Sequence, residues 1–122
     1  MARILIIDDD VRICRLMART LMGAGHEVIE AYDGDEGLRL FRDRRPAIVI
    51  TDILLPKRDG IATILELRRE APAVAIIAIS GGGHGYGVDY LDFAGKLGAD
   101  AMLPKPFKLA ELIDVVNDLL SA

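Results

Sequence analysis

Short apolar runs of strand length alternate along the chain with segments whose apolar residues recur every three or four positions, and the alternation repeats five times. Ile4-Leu5-Ile6-Ile7 is a short apolar run rich in β-branched Ile that stops at Asp8-Asp9-Asp10. Val11, Ile13, Leu16, Met17 and Leu21 then keep helical spacing until Gly23 and Gly25, and Asp10 is placed to cap that helix. Glu27 to Ala31 reads as a second strand, followed by a turn at Asp33-Gly34 and a helix carrying Leu38, Leu40 and Phe41 to about Asp43. The basic residues Arg42, Arg44 and Arg45 suit the negative end of that helix dipole.

Ala47 to Thr51 predicts a third strand, Ile53 to Asp59 a loop, and Gly60 to Glu70 a helix that Pro72 forbids from continuing. Val74 to Ile79 is the fourth and most apolar strand. A glycine-rich run from Gly81 to Gly87 leads into a fourth helix with Val88, Leu91, Ala94 and Leu97, ended by Gly98. Ala101 to Leu103 makes a short fifth strand before Pro104-Lys105-Pro106, and Leu109, Leu112, Ile113, Val116, Leu119 and Leu120 form the apolar stripe of a fifth helix.

Strands apolar on both faces and separated by helices predict a parallel sheet covered on both sides, since right-handed crossovers distribute helices to the two faces. The expected fold is α/β, a doubly wound five-stranded sheet of order 2-1-3-4-5, flavodoxin-like, occupying residues 1–122 as a single domain with no output domain. Five such units consume all 122 residues, so output is expected to pass through another molecule.

Composition narrows the functions that fit. Fifteen Lys and Arg against nineteen Asp and Glu give a net charge of -4, leaving no basic excess for a nucleic acid or an anionic membrane. Cys14 is the only cysteine, which excludes an intrachain disulfide and a cysteine metal cluster and suits a reducing, cytoplasmic compartment. The longest apolar run, Ala73 to Ile79, is far below the ~18 residues of a membrane span. Ile4 to Ile7 is shorter than the ~7-residue apolar core of an export signal.

In doubly wound sheets ligands bind outside the carboxyl ends of the strands, where strand order reverses. Those ends carry Asp8, Asp9 and Asp10 after the first strand, Thr51 and Asp52 after the third, Ser80 after the fourth and Lys105 after the fifth. Order 2-1-3-4-5 makes the first and third strands neighbours, so three carboxylates share one small volume. At ~5 Å and an effective dielectric of about 20, each pair repels by roughly 3 kcal/mol, a cost that protonation or a bound cation relieves. Oxygen ligands without His or Cys suit Mg²⁺ or Mn²⁺ rather than zinc. A cation cage, a nucleophilic carboxylate, a lysine and a hydroxyl together make a site for receiving a phosphoryl group.

In these residues the sequence resembles the response-regulator receiver domains of two-component signalling, with the fold of CheY. The matching stretches are Ile4 to Asp10, Ile48 to Pro56 with Asp59-Gly60, Ile79-Ser80-Gly81, and Leu103-Pro104-Lys105-Pro106-Phe107, in order and across almost the whole chain. The resemblance implies that Asp52 is the phosphoacceptor, served by a histidine kinase or a phosphotransfer protein. It implies that Asp8 and Asp9 hold Mg²⁺, Asp9 directly and Asp8 through water, with Asp52 and the backbone carbonyl of Leu54 completing the protein ligands. Ser80 corresponds to the switch hydroxyl and Lys105 to the lysine that pairs with the phosphoryl group, and the Lys105–Pro106 bond is expected to be cis.

The implied output is a protein target bound on the face of helices four and five and strand five, by a monomer or weak dimer that signals as a relay intermediate, a regulator or a phosphate sink. It would phosphorylate and dephosphorylate itself without being a turnover enzyme. Two features depart from the family pattern. Met102 stands where the switch aromatic usually lies, and the interval from Ser80 to Lys105 is longer, with the excess in Gly81 to Gly87. So glycine-rich a loop is costly to order, and it is expected to change order when Ser80 engages a phosphoryl group.

Other readings fit the residues less well. Asp10 serves as a helix cap, and His84 has no partner at metal-ligand spacing. Cys14 and Met17 are expected to pack in the first helix, and Tyr90 and Phe93 around the fourth; either of these, or Tyr86, could replace the switch aromatic. The glycines match neither nucleotide-binding pattern. Asp8 and Asp10 have the spacing of an aspartate-based phosphatase, which would want Thr or Val where Arg12 stands. A flavodoxin would need Ser, Thr and Gly in place of the aspartates after the first strand. A receiver-like adaptor that works without phosphate would not need the complete acceptor set.

Overall fold

The computed structural model describes residues 1–53, 55, 60–81, 95–96 and 98–121. Five parallel strands, β1 (Arg3–Ile7), β2 (Glu27–Ala31), β3 (Ile48–Asp52), β4 (Ala75–Gly81) and β5 (Ala101–Lys105), form one sheet in the order β2-β1-β3-β4-β5. The helices are α1 (Val11–Gly23), α2 (Gly34–Arg44), α3 (Gly60–Glu70) and a C-terminal helix (Leu109–Ser121). This is the doubly wound architecture expected from the apolar pattern.

Alternation within the strands builds two cores. Leu5, Ile7, Val49, Ile76 and Ala78 face α2 and α3, where Leu38, Phe41, Ile64 and Leu67 meet them. Ile4, Ile6, Ile48, Ile50, Ile77 and Ile79 face the other way, against Cys14, Met17, Ala18 and Leu21 of α1 and Leu112 and Val116 of the C-terminal helix. A strand buried on both faces needs apolar residues at every position, which explains the unbroken Ile/Val/Leu runs.

Capping follows the sequence. Asp10 accepts hydrogen bonds from the Arg12 and Ile13 backbone N–H groups at 3.0 and 3.3 Å. Asp33 caps α2 through the Glu36 N–H at 2.8 Å, so Asp33-Gly34 is a helix start rather than a free turn. Arg42 and Arg44 occupy the last turn of α2.

Three strands run further than the apolar pattern indicates. β3 includes Asp52, β4 continues through Ser80 to Gly81, and β5 continues through Pro104 to Lys105. Parallel pairing sustains them, with Asp52 opposite Ile79, Ser80 opposite Pro104 and Gly81 opposite Lys105. Pro104 is tolerated because β5 is an edge strand. The expected loop residues Leu54, Pro56 to Asp59 and 82–87, with His84 and Tyr86, lie outside the described residues, as do 88–94, with Tyr90 and Phe93, and Leu97 of the expected fourth helix, of which Gly95 and Lys96 are helical. No described helix is long and apolar enough to cross a membrane.

Gly60 opens α3 pressed against the end of β3. Its N–H donates to the Ile53 carbonyl at 2.6 Å, and a Cβ there would collide with the Asp52 carbonyl oxygen and Ile53 Cα, both backbone. Gly60→Ala is therefore expected to lower stability by about 1–3 kcal/mol. Gly23→Ala, at a position with no atom within 4 Å and no positive φ, should be neutral or stabilising by up to ~1 kcal/mol. Urea denaturation of the two variants checks the contrast, and equal midpoints would refute the close-approach argument.

Candidate functional site

The carboxyl edge of the sheet gathers most of the residues that the sequence singles out. Asp8 follows β1 directly and is fully buried. Its N–H donates to the Ala31 carbonyl at 3.0 Å, and its Oδ1 accepts the Asp10 N–H at 2.9 Å. Asp52, the last residue of β3, is 5% exposed. Asp9 is exposed, and one carboxylate oxygen from each of Asp8, Asp9 and Asp52 lies within 4.8 Å of the others.

Lys105 reaches this group from the far side of the sheet. Its Nζ donates to Asp8 Oδ2 at 2.9 Å and to Asp52 Oδ2 at 3.0 Å. The Lys105–Pro106 peptide bond is cis, as the resemblance implies. Ser80 is fully buried in β4, and its Oγ has no hydrogen-bond partner among the described residues. A buried hydroxyl without a partner costs roughly 1–3 kcal/mol, a cost that a ligand oxygen arriving at this edge would relieve. The Thr51 hydroxyl is already committed, donating to the Asp52 carbonyl at 3.0 Å.

Burial shifts the charged groups. It raises the Asp8 carboxyl above its ordinary 3.8, and the Asp52 charge adds to that; the Asp10 N–H and Lys105 oppose without reversing it. For Lys105 burial acts to lower the ammonium, but the hydrogen bonds and charges of Asp8 and Asp52 outweigh it, and the net shift is upward from 10.5. Lys105 stays charged while Asp8 sits in a site short of positive charge. The donor set, three carboxylates close together without imidazole or thiolate, fits a hard divalent cation such as Mg²⁺.

Leu54, whose carbonyl was expected among the ligands, lies outside the described residues, as does the glycine run beyond Gly81. Met102 is 42% exposed on β5. A Cβ on Gly95 would lie 3.0 Å from its Sδ, so the thioether packs closely against Gly95 and would have to yield slightly to a larger residue there. Gly60 is the site residue whose role was missed. It belongs to a quoted motif, but its close approach to the Asp52 carbonyl depends on the angle at which α3 leaves the sheet, which no local pattern reports.

Comparison with known proteins agrees with this geometry. The family model for the response regulator receiver domain matches residues 4–117. The "Probable transcriptional regulator ycf27" of Cyanophora paradoxa is 35% identical over 97% of this chain and 48% of its own length. The "Transcriptional regulatory protein PrrA" of Mycobacterium tuberculosis is 36% identical over 97% of this chain and 49% of its own length. The chain thus spans about half the length of the curated relatives it matches. Among solved structures, the receiver domain of NtrX from Brucella abortus aligns with a TM-score of 0.91 at 36% identity, covering 98% of both chains. The chemotaxis response regulator CheY4 of Vibrio cholerae aligns with a TM-score of 0.85 at 26% identity, again over 98% of both.

The raised Asp8 carboxyl has a measurable consequence. Its folded pKa lies above the unfolded 3.8, so Asp8 costs stability increasingly as pH rises from 3.8 towards the folded value, and in full above it. Asp8→Asn is expected to be more stable than wild type in chelator-treated buffer at pH 7. The gap should close as pH falls through the folded value towards 3.8, where Asp8 is protonated in both states. Mg²⁺ at a hundredfold its Kd should stabilise the wild type by ~2.7 kcal/mol and the variant by less. Thermal melts with and without Mg²⁺ test this, and a variant less stable than wild type without metal would contradict it.

Proposed function

The chain belongs to the response regulator receiver domain family, and from that premise we propose that it accepts a phosphoryl group on Asp52 and passes the change to a protein partner. Members of the family signal rather than turn over substrates, and they generally bind Mg²⁺. The observation that carries the reading is the convergence on one buried edge of the Asp52 carboxylate, the Lys105 ammonium and the unpartnered Ser80 hydroxyl.

In the proposed reaction an Asp52 carboxylate oxygen attacks the phosphorus of a phosphohistidine on a kinase or phosphotransfer protein. The new O–P bond forms as the N–P bond breaks, and the imidazole leaves with the electron pair. Lys105, already held beside Asp52, places positive charge next to the oxygens on which charge gathers. Asp8 and Asp9, with Asp52 and the Leu54 carbonyl, are the groups that would hold Mg²⁺, which when bound neutralises further charge on those oxygens. Ser80 then offers its unused hydroxyl to a phosphoryl oxygen.

The product adds about -1.5 to -2 charge to a site closed by one lysine. Drawing Lys105 and Ser80 towards the new group biases the arrangement of β4 and β5. In this reading the face formed by β5, the C-terminal helix and the segment before β5 is the output surface. Met102 stands on it in place of the usual aromatic and carries the coupling through its contact with Gly95.

Incubation with Mg²⁺ and a small phosphodonor, followed by intact mass, should show one hydroxylamine-sensitive phosphoryl group per chain. Asp52→Asn should show none, chelation should abolish labelling, and Lys105→Ala should slow it by roughly tenfold or more. No adduct with any donor, or an unchanged adduct in Asp52→Asn, would overturn the assignment.

A further inference from the structure

β5 carries Lys105 into the site, yet its own side chains fix it less than those of β1 and β3 fix their strands. It lies at the edge of the sheet and pairs with β4. Leu103 is its one buried residue, where β1 and β3 are buried at four and five positions. Register is strongly specified where a whole face is buried, and a slip of one residue turns every side chain to the other face. Pro104, beside Lys105, contributes no N–H. The strand therefore needs a hold outside its own apolar pattern.

That hold lies at its amino end. Asp100 directly precedes β5; its N–H donates to the Ile76 carbonyl at 2.8 Å, and its Oδ2 accepts the Ile76 N–H, also at 2.8 Å. One residue thus takes both backbone polar groups of a β4 rung that is itself fully buried and paired with Val49 of β3. The same Oδ2 accepts from Nη2 of Arg68, on α3, at 2.8 Å. Arg68 also donates from Nη2 and Nε to the Gly98 carbonyl at 2.6 and 3.2 Å, and from Nη1 to the carbonyls of Pro72 and Val74, each at 2.8 Å. All five guanidinium donors are placed. Gly98, at φ +133°, permits the approach, since a Cβ there would stand 3.2 Å from both Cγ and Nε of Arg68.

We propose that Arg68 is a positioning residue for Lys105: by clamping the turn before β4 to Gly98 and Asp100, it fixes the register of β5 and so holds the Lys105 ammonium against Asp52 and Asp8. The ion pair with Asp100 does little of this alone, because that carboxylate is 41% exposed. The planar fork on three backbone carbonyls supplies the geometry, which a lysine could not reproduce. Arg68 acts at the opposite edge of the sheet from the carboxylates and reaches them only through β5 and Lys105. The effect on phosphoryl transfer rests on Asp52 being the phosphoacceptor; the placement of Lys105 does not.

Two measurements separate these. Lys105 is 17% exposed and bonded to two carboxylates, whereas Lys96 and Lys108 are exposed. In chelator-treated buffer, reductive methylation followed by peptide mass should find Lys105 slow in the wild type. In Arg68→Met, which keeps the stem without the donors, Lys105 should react about threefold faster or more, towards the rates of Lys96 and Lys108. Arg68→Lys should fall between, and Arg69→Met, which removes an exposed partner of Glu66, should match the wild type. With Mg²⁺ and a small phosphodonor, Arg68→Met should slow Asp52 labelling about three- to tenfold, but should add no further slowing to Lys105→Ala, because its effect passes through that lysine.

Circular dichroism establishes that each variant is folded, and if Arg68→Met is not, Arg68→Lys is read by the same two measures. Lys105 as slow to methylate in the folded Arg68 variants as in the wild type would overturn the proposal. So would equal slowing of labelling with and without Lys105, the result of a merely structural role. A wild type that gains no phosphoryl group would remove the phosphoacceptor reading, and the methylation rates would then decide the role of Arg68 by themselves.

Discussion

The site depends on a single lysine that spans the sheet. Lys105 ends β5, while its partners Asp52 and Asp8 stand at the ends of β3 and β1, two and three strands away in the order β2-β1-β3-β4-β5. Strands lie ~4.8 Å apart, so the side chain must lean across β4 to reach them. Gly81 is the residue paired with Lys105 at that point. Removing the lysine would leave two buried carboxylates facing each other, and moving β5 by one rung would take the ammonium out of reach.

The parallel ladder is what holds that reach constant. Asp52, Ser80 and Lys105 all occupy the last rungs of their strands rather than loops beyond them. Their backbones are fixed by pairing on the sheet, and only the side chains retain freedom. Gly60 adds a second restraint, because α3 begins against the Asp52 carbonyl and leaves the end of β3 little room to move. The Ser80 hydroxyl stands out against this background: among the described residues it is a buried side-chain polar group with no hydrogen-bond partner, left available to a new arrival.

The doubly wound parallel sheet, the two-faced core and the identity of the clustered acids were legible in the sequence because each rests on a local signal, whereas the strand order came with the family resemblance. Unbroken Ile/Val/Leu runs mean burial on both faces, and an aspartate ending such a run can only sit at the sheet edge. The ends of β3, β4 and β5 were less legible. Hydrophobicity stops at Thr51, Ile79 and Leu103, but a strand continues as long as its neighbour offers backbone partners, and Asp52, Ser80 and Lys105 find them in the next strand. Pro104 reads as a stop in isolation and is accommodated only because β5 is an edge. The close approach at Gly60 is a relation between two elements, visible only once α3 is placed against the end of β3.

Charge at the carboxyl edge explains why the fold tolerates so acidic a site and why it remains incomplete without a ligand. The Asp8 and Asp52 carboxylates repel by about 3 kcal/mol at ~5 Å in an effective dielectric near 20, and an ammonium ~3 Å from each returns more than that. Lys105 therefore offsets the buried pair. It does not offset Asp9 as well: three carboxylates and one ammonium leave a formal charge of minus two within a few ångströms. A monovalent ion would halve that excess and a divalent ion would cancel it. The upward shift of Asp8 is driven first by burial, with the Asp52 charge adding to it, and it persists although both the Asp10 N–H and Lys105 act against it. A phosphoryl group adding further negative charge could not settle there against an excess of two, so the cation that cancels the excess is also the condition for the chemistry proposed at Asp52.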